Sequence, residues 1–165
     1  VLQKLIKLVS SGATILHGSP NYFNEIIPRL ADGEIATCAS VVPEITLYHA
    51  LLKGSPGRKI GGGAWSFNKK RFERATITFR LTKEMLNFLL SKPKLTGYVY
   101  PMDTYDFDRR GLAECRLYKS RFLRTKILVT EDDLPFNPAV GQLEYKIELP
   151  YKFKNHFAIE LNVTN

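Results

Sequence analysis

Apolar residues fall at helical spacing at the start of the chain. Leu2, Leu5, Ile6, Leu8 and Val9 alternate with Lys4 and Lys7, a pattern that predicts a short helix over 1–9, stopped by Ser10, Ser11 and Gly12. Residues 13–16 then read as a brief buried strand that leaves His17 at its end, in the turn-forming cluster His17-Gly18-Ser19-Pro20. Asn21 is placed to cap a short helix through Ile27, ended by Pro28. A second strand is expected over 34–40. It leads into a helix over 43–53 with Pro43 at its first position and Ile45, Leu47, Tyr48, Leu51 and Leu52 as apolar residues.

Period-two alternation returns at Ala75, Ile77, Phe79 and Leu81 against Thr76, Thr78 and Arg80, the mark of a half-buried strand. Thr82 caps the helix that follows, to about residue 91, with Met85, Leu86, Phe88, Leu89 and Leu90 as its apolar face, and Pro93 closes it. Further strands are expected over 97–100 and 122–130, with a polar loop over 103–111 between them. Two more strands between 142 and 163 form a closing hairpin or a pair of sheet partners. Strands outnumber short, scattered helices, so the pattern implies one α+β domain over 1–165, built on a split or two-sheet β core with short peripheral helices.

The composition is compatible with that picture. A chain of 165 residues can bury roughly 70% of its extended surface, enough for a core without disulfides or structural metal. Cys38 and Cys115 make no CxxC pair, and with His17, His49 and His156 they spell no zinc frame; both are read as reduced thiols, and no metal is expected. No apolar run approaches the length of a membrane helix, so no membrane partner is expected and the cytoplasm is the expected compartment. The net charge of +8 suits a partner carrying phosphates.

Two segments bear on that partner. Residues 54–63 (GSPGRKIGGG) are the strongest loop signal in the chain. They lack the spacings of a phosphate cradle and read as a plain flexible loop. Around them Lys53, Arg58, Lys59, Lys69, Lys70 and Arg71 flank Trp65 and Phe67, a mixture that could stack bases and meet phosphates, or simply form a solvated basic loop.

No serine-hydrolase elbow, zinc-protease, kinase or dinucleotide fingerprint is present. Three segments taken in order nevertheless resemble the ADP-ribosyltransferase superfamily, in particular its poly(ADP-ribose) polymerase-like branch. Ile15-Leu16-His17-Gly18-Ser19 matches the strand that ends in His-Gly-Ser. Ala39-Ser40-Val41-Val42-Pro43 through Tyr48 matches the strand, small-residue step and tyrosine-bearing helix. Glu114 ahead of Cys115-Arg116-Leu117-Tyr118 matches the glutamate that opens a late strand.

The resemblance implies an ADP-ribosyltransferase-like fold and an NAD-dependent enzyme that cleaves the bond between nicotinamide and ribose and transfers ADP-ribose to a protein or nucleic acid. Such a reaction passes through an oxocarbenium-like state and needs fixed riboses and a nearby negative charge. By the same resemblance His17 bonds a ribose hydroxyl, and Gly18 bonds the carboxamide, with Ser19 beside it. Tyr48 stacks on nicotinamide, Glu114 is the catalytic carboxylate, and Ser40 adds a polar contact. The resemblance also brings a toxin or effector role into view, by analogy alone. One departure stands out: Ile45 occupies the position of a serine that polymerase-type members use to hold the carboxamide. Two alternatives therefore stay open, a catalytically inactive nucleotide- or nucleic-acid-binding module of the same fold, and an enzyme resembling RNA 2′-phosphotransferases, to which Arg116, Arg121 and Arg124 are relevant.

Overall fold

A computed structural model describes residues 1–31, 33–58, 64–69, 74–109, 111, 113–153 and 159–161. The chain runs through α1 (Leu2–Ser10), β1 (Thr14–Ser19), β2 (Glu25–Ile26), β3 (Arg29–Ala31), β4 (Glu34–Ala39), α2 (Pro43–Leu52), β5 (Trp65–Asn68), β6 (Thr76–Arg80), α3 (Lys83–Leu90), β7 (Thr96–Asp103) and β8 (Asp108–Arg109). It continues through β9 (Cys115–Leu117), β10 (Arg121–Phe122), β11 (Ile127–Thr130), β12 (Glu144–Glu148), β13 (Tyr151–Phe153) and β14 (Ile159–Leu161). This is a mixed α+β architecture of three helices and several small antiparallel sheets among the described residues.

Two of those sheets organise the molecule. One has the order β1-β7-β11 and the other β3-β4-β9-β8. They touch through a single antiparallel bridge in which Leu16 and Ser40 exchange both backbone hydrogen bonds, at 2.9 and 2.8 Å. Beyond that bridge β4 does not follow β1, so the core is split at this point.

The bridge also accounts for a proline in a central strand. Leu16 directs its amide and carbonyl to Ser40, and so exchanges no ladder bond with its register partner across β7, which is Pro101. The amide that proline lacks would thus face the other edge of β7, where the pairing with β11 ends two residues earlier, at Val99. The expected strand over 97–100 can consequently extend through Pro101 to Asp103.

Helix α2 lies on the β1-β7 sheet, and backbone contact sets its depth. A Cβ on Gly18 would run into the Thr46 carbonyl oxygen, and one on Gly97 into that of Ala50. Pro43 stands at the first helical position, as expected, and every residue of α2 except His49 is buried. The main core gathers Leu5, Ile6 and Val9 of α1 with Leu16, Val99 and Val129 of the sheet and Leu47, Leu51 and Leu52 of α2. Thr82 caps α3 by accepting from the Met85 amide.

Three expectations change. Residues 21–27 are not helical: Tyr100 donates to the Asn21 carbonyl and accepts from the Phe23 amide, and Glu25–Ile26 pair with β10. Long-range partners thus outweigh the local capping signal of Asn21. The strand expected over 122–130 is two strands, because β10 pairs with β2 whereas β11 pairs with β7. The loop expected over 103–111 contains the end of β7 and all of β8. At the C-terminal end β12 pairs with β6, while β13 and β14 pair with each other.

Candidate functional site

His17 sits where the two sheets part. Its Nδ1 lies 2.7 Å from the Cys38 carbonyl of β4. A carbonyl can only accept, so Nδ1 carries the ring proton and Nε2 is left as an acceptor. Burial, offset by that bond and aided by the charge on Lys53, pushes the pKa down to about 4, so the ring is neutral at physiological pH. The rings of Phe23 and Tyr100 flank it, each 6.2 Å between centroids.

Gly18 follows on the same edge. Backbone groups of a strand alternate between its two edges, so the Gly18 amide and carbonyl point the same way as those of Leu16. The isolated bridge means that β4 offers them no ladder partner. Ser19 is buried, and its hydroxyl accepts from the Asn21 amide, which fixes the chain as it leaves β1.

Ser40 is fully engaged within the fold. Its hydroxyl donates to the Ala113 carbonyl at 2.6 Å and accepts from the Val42 amide at 3.0 Å. These bonds tie β4 to the chain just ahead of Glu114. Register pairs Ala39 with Cys115, so one step further sets Ser40 opposite Glu114, with Leu16 on the other side of Ser40. Glu114 is therefore two strands from the His17 strand, and its carboxylate pairs with Arg116 Nη2 at 2.7 Å, the arginine being almost fully buried.

Tyr48 is placed differently from the expectation that it stacks on a ligand. Its ring is 0% exposed and already stacks on Phe79, 5.1 Å between centroids. Burial raises its pKa, opposed by the neighbouring Arg58 guanidinium. One helical step on, His49 Nε2 accepts from Trp65 Nε1 at 3.2 Å and its Nδ1 faces Arg58 Nη2 at 3.4 Å. Burial first, then the cations Arg58 and Lys53, push His49 down to about 3. Sequence reasoning passed over His49. Its only signal was its position beside Tyr48 on a helix, which says nothing of a partner sixteen residues away.

Of the expected basic patch, Lys53 and Lys69 are exposed and Arg58 is half-buried. Arg58 donates to the Lys53 carbonyl at 2.9 Å, and Lys69 lies 5.5 Å from the centre of the Phe153 ring. Trp65 is held by His49, and Phe67 packs edge-on against Phe153. Lys59, Lys70 and Arg71 lie outside the described residues. Cys38 and Cys115 are both thiols, on facing strands but one register step apart. Among the described residues no cluster of metal ligands forms, and no helix is long and apolar enough to cross a membrane. Comparison with family models, with curated proteins and with solved structures gives no match for this chain.

Proposed function

We propose that this chain is an NAD-using, ADP-ribosyltransferase-like domain whose site lies in the split between β1 and β4. The observation that carries the reading is the isolated Leu16–Ser40 bridge. Past it stand a half-buried neutral histidine with its tautomer set and a Gly18 backbone to which β4 gives no ladder partner, and Glu114 directly precedes β9. A ribose hydroxyl needs an acceptor, which His17 Nε2 supplies. A carboxamide needs one donor and one acceptor side by side, which the Gly18 backbone supplies. These groups fit NAD; Tyr48 and Ser40 fit only as supports of the site, holding α2 and the Ala113–Glu114 chain.

Within this reading NAD supplies a ribose whose bond to nicotinamide is labile. His17 orients the ribose, and Gly18 holds the carboxamide. Glu114 sets negative charge beside the carbon that becomes electron-poor and faces the acceptor nucleophile. Arg116 is a positioning residue that holds the Glu114 carboxylate.

Calorimetric titration with NAD tests the reading. The wild-type chain binds, His17→Ala loses binding by at least ten-fold, and Glu114→Gln binds but no longer transfers ADP-ribose. Absence of binding at millimolar NAD, or full transfer by Glu114→Gln, overturns it. A second reading, a binding module of the same fold without transfer, is favoured by one specific observation: Tyr48, Ile45 and Ser40 are all buried and engaged in the fold. It predicts nucleotide binding that His17→Ala removes, with no turnover in the wild-type chain.

A further inference from the structure

The segment that follows Glu114 has a composition that the proposed site does not use. Residues 116–126 (RLYKSRFLRTK) contain Arg116, Lys119, Arg121, Arg124 and Lys126 and no acidic residue, with Tyr118 and Phe122 between them. The structure separates these side chains into two groups. Arg116 is buried on Glu114, and Arg121 is held by Asp103 and Asp106 and by the Tyr105 carbonyl. Lys119 is exposed and pairs with Asp106. Arg124 is exposed, and Lys126 is exposed against the Tyr22 hydroxyl and Asn24.

The aromatic residues of the same region are turned outward. Phe122 is 78% exposed on β10, Tyr105 beside Arg121 is 76% exposed, and Tyr22 beside Lys126 is 54% exposed. The pairing of β10 with β2 is what brings this face together. It sets Phe122 opposite Glu25 and ties Leu123 to Asn24, two residues from Tyr22. Tyr22 packs edge-on against Tyr98, whose register partner on β11 is Leu128, also exposed.

We infer that this face, centred on Phe122, Tyr22, Arg124 and Lys126, binds a single-stranded nucleic acid. Exposed rings beside cations, Phe122 open and Tyr22 with the Lys126 ammonium 3.7 Å from its ring centre, suit bases that stack and phosphates that run between them. Asp103 and Asp106 at its margin are taken by Arg121 and Lys119, and Glu25 stands opposite Phe122, so the excess charge rests on Arg124 and Lys126. The site of transfer would then receive its acceptor from the chain that carries Glu114, a clause that rests on the function proposed above; binding itself does not.

Fluorescence anisotropy with labelled single-stranded oligonucleotides of about 12 nucleotides, DNA and RNA in separate arms, tests the inference. The expected result is binding that weakens with salt with a log–log slope near −1.4, for about two phosphates neutralised. Phe122→Ala weakens it roughly ten-fold, and Arg124→Gln with Lys126→Gln flattens the slope. All three side chains are exposed, so unchanged thermal unfolding of the variants shows that the fold is kept. No binding, equal binding by Phe122→Ala, or equal competition by duplex DNA or polyglutamate overturns the inference. NAD titration of the same variants stays unchanged, so failure here leaves the NAD reading standing, and failure of that reading leaves this one.

Discussion

At the scale of single residues, burial decides what each polar side chain can do. Glu44 lies in the first turn of α2 with almost no exposure, and the Tyr151 hydroxyl donates to its Oε2 at 2.6 Å. Burial raises the pKa of the carboxyl, and the Tyr151 bond works against that rise. Tyr151→Phe removes the donor and leaves a buried carboxyl unsatisfied, which costs about 2 kcal/mol; chemical denaturation should show this as a lower midpoint with an unchanged slope. Glu44→Gln keeps an acceptor for Tyr151 and removes the buried charge, so it should cost much less in the same measurement. His17 makes the complementary case. Its pKa near 4 keeps Nε2 an acceptor from pH 6 to 8, so any NAD binding should show no histidine-like step across that range.

At the scale of elements, two glycines set how α2 meets the sheet. Gly18 and Gly97 lie on neighbouring strands and let the α2 backbone approach without intervening side chains. Gly18→Ala and Gly97→Ala each push the helix away, and each should destabilise the chain by about 2 kcal/mol or more, as expected of overpacking against backbone that cannot yield. Thermal unfolding measures this directly. Gly54 has open space around the position of a Cβ, so Gly54→Ala serves as the control and should leave stability nearly unchanged.

At the scale of the molecule, acid acts through two half-buried histidines at the junction of α2 with the split sheets. His17 and His49 have folded pKa values near 4 and 3 against an ordinary value of 6.5. The unfolded chain therefore binds protons first. Their neutral burial costs no stability above pH 6.5, and stability is lost as pH falls from there toward 4, by up to roughly 1.4 kcal/mol per pH unit for each histidine. Unfolding temperature followed from pH 7 to pH 5 should fall, and His49→Gln should make the fall shallower. Glu44 works the other way, since its raised pKa favours the folded state on acidification, so the fall should steepen in Glu44→Gln.

Much of this molecule is legible along the chain. Helices α1, α2 and α3 and strands β4, β6 and β12 follow from spacing, caps and alternation, because those signals come from residues within one or two turns of each other. The α+β class follows from the same pattern. What sequence alone cannot determine is pairing over distance. Asn21 reads as a helix cap until Tyr100, seventy-nine residues away, claims its carbonyl. Residues 122–130 read as one strand until β2 and β7 divide them. Tyr48 reads as a ring offered to a ligand, whereas Phe79 covers it. The cations near Trp65 are legible as a group, but that Trp65 donates to His49 and Phe67 packs on Phe153 is not, nor is the outward turn of Phe122, Tyr22 and Tyr105. Local patterns choose elements because their energies are local. The face an element buries, and the side chains it leaves for chemistry, depend on partners that only the folded chain brings within reach.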